Sequence, residues 1–120
     1  MNIKRPHNTK ERGIMEFIYY GEKDKYIGVC LTFDIVEEGK DLNSLRQSVE
    51  DAAKLHLRTV MQKNLSDDLL NRYAPEQYWK RYFEALKALE KQKVEKLLFE
   101  IPAIVNYPII GANQFVAVGV

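Results

Sequence analysis

The sequence predicts an α+β fold: a three-stranded antiparallel sheet (β-β-β-α) packed by one helix, then a second, aromatic-rich helix and C-terminal β segments. Three observations carry that expectation. Residues 14–38 are rich in β-branched and aromatic side chains that recur at every second position. From Asp41 the apolar spacing changes to three and four, the period of a helix with one buried face. Residues 101–120 contain no charged side chain, yet Pro102, Pro108, Gly111 and Gly119 break them into short β-like pieces rather than one long helix.

A chain of 120 residues suits one domain with a modest core. With 46% hydrophobic and 29% charged residues it has the composition of a globular protein, not of a disordered one. The formal net charge of +1 gives no global attraction to nucleic acid or to an anionic membrane. A single cysteine, Cys30, fits a reducing, cytoplasmic setting. No N-terminal apolar stretch resembles a secretion signal, and the apolar C-terminal run is too interrupted for a membrane span.

The elements follow in order. Residues 1–13 read as a flexible basic arm, with Lys4, Arg5, Lys10 and Arg12 against Glu11, and residues 14–120 as a single domain. Ile14–Tyr20 is the first expected strand, and Gly21–Lys25 the hairpin turn. Tyr26–Phe33 is the second, with Ile27, Val29, Leu31 and Phe33 on one face and Tyr26, Gly28, Cys30 and Thr32 on the other. Gly28 marks a bulge or a close backbone approach. Asp34–Glu38 is the third strand.

Asp41 is a good N-cap for the first helix. Its apolar face comprises Leu42, Leu45, Val49, Ala52, Ala53, His56 and Val60. Arg46, Glu50, Lys54 and Arg58 fall on the opposite side, with Glu50 and Lys54 as an i, i+4 pair. A connector over Asn64–Tyr73 leads to a second helix starting near Pro75 and ending near Leu97. Phe99–Tyr107 reads as an edge strand interrupted by Pro102, and Phe115–Val118 as a further strand.

The chemistry-bearing residues form no recognised catalytic set. His56 on an apolar helix face is expected to be a packed histidine with one hydrogen-bond partner, because a zinc site needs three or four ligands. Cys30 has no neighbouring group to lower its pKa. Asp34 with Glu50 or Asp51 is the one carboxylate grouping that can be drawn toward a divalent metal, as in a metal-dependent nuclease. Turn and edge charges explain the same residues without a metal. No spacing points to a cofactor, a phosphate loop or a metal site. The second helix carries a stripe of Tyr78, Trp79, Tyr82 and Phe83 flanked by Lys80 and Arg81. Such residues serve as core, as interface anchors or as a base-stacking platform. If exposed, these four are the expected partner-binding residues. The third use, with the basic arm, makes a nucleic-acid-binding regulator an alternative function.

One local pattern goes further. Tyr26, Gly28 and Cys30 on the second strand, Gly39 before Asp41 at the helix start, and Leu55-His56-Leu57 late in the helix resemble the HicB-like antitoxin family over residues 14–62. Leu31 stands where the family has a proline after the cysteine, and Asp51-Ala52 place the acidic-alanine pair late. The resemblance implies a partial ribonuclease-H-like fold without its acidic catalytic set. It also implies an antitoxin or stand-alone relative that occludes a small RNA-cleaving partner of the HicA type and forms homo-oligomers. On that expectation the protein is not an enzyme and takes no cofactor. Many relatives also carry a DNA-binding unit after this region, and no recognition helix is legible here.

Overall fold

The computed structural model describes residues 7–91 and 103–109. The fold is α+β, and its antiparallel sheet has four strands rather than the three expected. Strand β1 spans Gly13–Glu22, β2 Lys25–Cys30, β3 Ile35–Gly39 and β4 Ala103–Ile109. Their spatial order is β3-β2-β1-β4, so the C-terminal segment closes against the first strand. Pro108 is compatible with this because β4 is an edge strand among the described residues.

The β1–β2 hairpin turns on Lys23-Asp24, with Lys23 in the left-handed region at φ 59°. The second strand ends at Cys30, earlier than the alternation predicts. Leu31–Asp34 form a turn, with Asp34 at φ 56°. Phe33 therefore leaves the face of Ile27, Val29 and Leu31 and joins the opposite core.

Helix α1 spans Leu42–Gln62. Asp41 caps it as expected, its carboxylate accepting from the Ser44 N–H at 2.9 Å. At the other end Asn64 adopts φ 48°, and the Leu65 N–H donates back to the Val60 carbonyl at 2.9 Å. That is the Schellman closure, with asparagine in the place usually held by glycine. A 3-10 turn over Asp67–Leu70 follows, and helix α2 begins at Glu76, directly after Pro75, and is described to Lys91. Its expected continuation to Leu97 and the strand expected at Phe115–Val118 lie outside the described residues.

The two helices lie on opposite faces of the sheet. Met15, Phe17, Tyr19 and Cys30 face α1 and pack on Leu45, Val49, Ala53, Leu57 and Val60. Ile18, Tyr20, Ile27, Val29 and Leu31 face α2 and pack on Trp79, Tyr82 and Ala85. The chain crosses between the faces past Leu31 and Thr32, whose carbonyls accept the Ala74 and Arg72 N–H groups at 2.8 and 3.0 Å. Two small cores sharing one sheet explain why β1 is apolar on both sides.

The segment expected as a solvated arm differs over residues 8–12. Asn8 is fully buried. Its side chain donates to the Leu70 carbonyl at 3.0 Å and accepts from the Ile14 N–H at 2.8 Å. Its main chain exchanges hydrogen bonds with the Asn71 amide at 2.7 and 2.8 Å. Lys10 Nζ reaches the Leu65 carbonyl at 2.6 Å and Asp67 Oδ1 at 2.7 Å. Lys10 and Asn8 thus form an internal clasp on the connector. Among the described residues no helix is long and apolar enough to cross a membrane.

Candidate functional site

The β1–β2 hairpin and the first turns of α2 enclose an open groove of about 450 Å³. Tyr20, Glu22, Lys25 and Ile27 come from the hairpin, Glu38 from β3, and Gln77, Tyr78 and Arg81 from α2. The Arg81 guanidinium lies 4.1 Å above the Tyr20 ring, which fixes the fork of donors over an aromatic floor. Burial raises the Tyr20 hydroxyl pKa, and the Arg81 charge partly opposes that shift. At the mouth, Lys25 Nζ meets Glu38 Oε2 at 2.9 Å. Tyr78 is half-buried, with Arg81 one turn further along the helix.

Only part of the expected anchor set is at the surface. Trp79 is 0% and Tyr82 1% exposed, so both belong to the core between α2 and the sheet. Trp79 meets Tyr73 and Tyr82 edge-on, each with ring centroids 6.0 Å apart, and stacks on Phe83. The physical reason is that the sheet's second face needs a cover, and α2 supplies it within the same chain. Tyr78 and Phe83 stay half-buried at the rim. Sequence reasoning missed Tyr20 and Gln77 and read Arg81 only as a flank of the stripe. The available signal was the mixed apolar face of β1 and the three-residue spacing from Tyr78 to Arg81.

The carboxylates considered for a metal do other work. Glu50 is 9% exposed rather than solvent-facing. Its Oε2 accepts from the Tyr19 hydroxyl at 2.8 Å and from Arg46 Nε at 3.2 Å, and its Oε1 from the Tyr107 hydroxyl at 2.7 Å. Arg46, not Lys54, is its ionic partner. Lys54 instead sits 5.9 Å from the centre of the Tyr107 ring. Burial, followed by the hydrogen bond to Glu50, holds the Tyr19 hydroxyl protonated far above the usual tyrosine range. Asp51 is exposed, and Asp34 occupies the turn before β3. Among the described residues no group of three His, Cys, Asp or Glu side chains gathers to hold a metal ion.

A second buried carboxyl, Glu16, faces α2 and is 8% exposed. Burial raises its pKa, partly opposed by a hydrogen bond from Tyr82. Tyr82 in turn exchanges hydrogen bonds with the Asn106 amide of β4. Cys30 is fully buried, and desolvation pushes its thiol up to about 11. At neutral pH it is therefore a packed thiol, not a thiolate. His56 matches its expected role: Nε2–H donates to the Leu69 carbonyl, and the ring packs 4.7 Å from Phe33.

The arrangement offers a surface for recognition. Its accessible chemistry is the half-buried Tyr78, the Arg81 guanidinium stacked on Tyr20, and the Glu22, Lys25 and Glu38 charges of the groove mouth. No family model, curated protein or solved structure matches the chain.

Proposed function

We propose that this protein is a HicB-like binding protein that occludes a small RNA-cleaving partner of the HicA type through the groove between its hairpin and α2. The observation that carries the proposal is Arg81 stacked over Tyr20 beside Tyr78 in an open groove. Tyrosine and arginine are the residue types that dominate binding energy, because each combines broad contact area with directed polar atoms. Glu22 and Glu38 are balanced in the groove by Lys25 and Arg81, so the site offers a partner both donors and acceptors.

The residues behind the family resemblance support the reading through their local roles. Gly28 admits the Tyr19 ring and Val49 between strand and helix. Cys30 fills the core beneath α1, and Asp41 starts that helix. Inhibition follows from steric occlusion and needs no chemistry from this chain.

The test is an RNA-cleavage assay with a HicA-type toxin titrated by the full chain. Wild type is expected to inhibit stoichiometrically. The Tyr78→Ala/Arg81→Ala double variant is expected to weaken inhibition by about 30-fold or more, the scale of two lost hot-spot side chains. Undiminished inhibition by a folded double variant removes the groove from the interface, and no inhibition by wild type removes the toxin reading.

A further inference from the structure

Among the described residues the two edges of the sheet are built differently. The edge at β3 is short, places Glu37 and Glu38 in its strand, and ties Glu37 to Ser48 and Glu38 to Lys25. Such an edge resists pairing with another strand. The edge at β4 has none of these protections over Ala103–Tyr107, where no residue is charged.

The direction of its backbone groups follows from the register. The Glu16 carbonyl accepts the Leu31 N–H at 2.8 Å, and the Glu16 N–H points to Thr32 Oγ1 at 3.4 Å. The main chain of Glu16 therefore faces β2. Its partner in β4 is Asn106, and Ile18 is paired with Ile104. In an antiparallel ladder, residues alternate between facing one neighbour and facing the other. The N–H and C=O groups of Ile104 and Asn106 thus point outward, away from β1.

We propose that this edge pairs antiparallel with the same edge of a second copy, about a two-fold axis through Val105. In that register Ile104 exchanges both main-chain hydrogen bonds with Asn106 of the second copy, and Asn106 with its Ile104. Pro108, two residues beyond Asn106, shares its outward parity and has no N–H to give, so the shared ladder is limited to the Ile104–Asn106 pairs. An uncharged antiparallel edge is its own complement under two-fold rotation. The same operation at β3 brings glutamates against glutamates, so a second copy is the occupant that the charge pattern favours for β4. The two four-stranded sheets join as one continuous sheet. This surface is separate from the hairpin groove, so the pairing stands or falls independently of the toxin reading.

Light scattering on the full chain across a concentration series, with circular dichroism to verify folding, tests it together with two kinds of variant. Val105→Cys places a thiol at the axis, in a non-hydrogen-bonded pair whose Cβ atoms lie about 4.5–5 Å apart, within reach of a disulfide. Oxidation is expected to give a covalent dimer, with Cys30 remaining inert in the core. Ala103→Cys, whose own copy sits four residues away along the ladder, is expected to give none. Ile104→Pro removes an outward N–H and is expected to yield a folded monomer. A wild-type monomer at all concentrations overturns the proposal, including one whose edge is covered by its own residues 110–120. So does a dimer that survives Ile104→Pro and fails to cross-link at position 105.

Discussion

Substituting Gly28 with alanine tests how closely α1 and the sheet approach. A Cβ at Gly28 falls 3.0 Å from Cδ1 and Cε1 of Tyr19 and 3.1 Å from Cγ2 of Val49. Carbon pairs prefer about 3.5–4.0 Å, so the ring or the helix must retreat by a few tenths of an ångström. Neither retreats freely. The Tyr19 hydroxyl is bonded to Glu50 at 2.8 Å, its ring runs parallel to that of Phe17, and Arg46 lies 5.5 Å from its centre. Overpacking of this kind costs about 1–3 kcal/mol. Alanine recovers about 0.5–1 kcal/mol of the backbone entropy that glycine loses in a strand. The net expectation is a loss of about 1 kcal/mol, which urea unfolding reads as a midpoint lowered by about 0.5–1 M. In a Tyr19→Phe background the ring is no longer tethered to Glu50, and the same substitution is expected to cost less. A midpoint raised by Gly28→Ala, or an equal loss in both backgrounds, refutes the reasoning.

Further expectations rest on single contacts. Trp79→Ala removes a fully buried side chain from the second core and is expected to cost about 3–5 kcal/mol in urea unfolding. A loss under 1 kcal/mol would contradict the placement of α2. Asn8→Ala strips the clasp of its bonds to Leu70 and Ile14 and is expected to expose the chain near residue 13 to limited proteolysis, while wild type resists. For Glu16→Gln the sign follows from a folded pKa raised by burial. The stabilisation linked to the protonated carboxyl is full below the unfolded pKa and lost as pH rises through the folded one. The variant mimics the protonated form, so it is expected to match wild type near pH 3 and exceed it in stability at pH 7. Equal pH profiles of unfolding for both proteins would count against a buried, destabilised carboxylate.

Local rules reached the elements built from local interactions. Asp41 was readable as a cap because its bond partner, Ser44, is three residues away. The hairpin and the strand β1 were readable from alternation and turn residues. Alternation misled at Leu31–Asp34, where an apolar side chain at every second position continues through a turn and carries Phe33 into the other core. Glu50 was misplaced for a different reason. Its neighbours in the helix are charged, and the hydroxyls that bury it come from Tyr19 and Tyr107, far away in sequence. The fourth strand was readable as an edge strand near Phe99–Tyr107, but its pairing with β1 was not, because that partner is far away in sequence.

The candidate site was legible in residue type more than in place. The stripe of Tyr78, Trp79, Tyr82 and Phe83 marked α2 as the aromatic helix, but helical spacing does not tell a core face from a docking face. The deciding clue was in β1, where Met15, Phe17 and Tyr19 face one side and Ile18 and Tyr20 the other. A strand apolar on both sides requires two covers, and α2 is the second. Once Trp79 and Tyr82 are assigned to that cover, the shoulder at Tyr78 and Arg81 is what the stripe leaves for the partner proposed above.

The most direct test of the binding account is purification of the protein from its own cells, with light scattering and mass spectrometry of the eluted complex. The account predicts a stoichiometric, small partner that is retained by wild type and lost from Tyr78→Ala/Arg81→Ala. A partner held equally by both proteins, or wild type eluting without one, would contradict it.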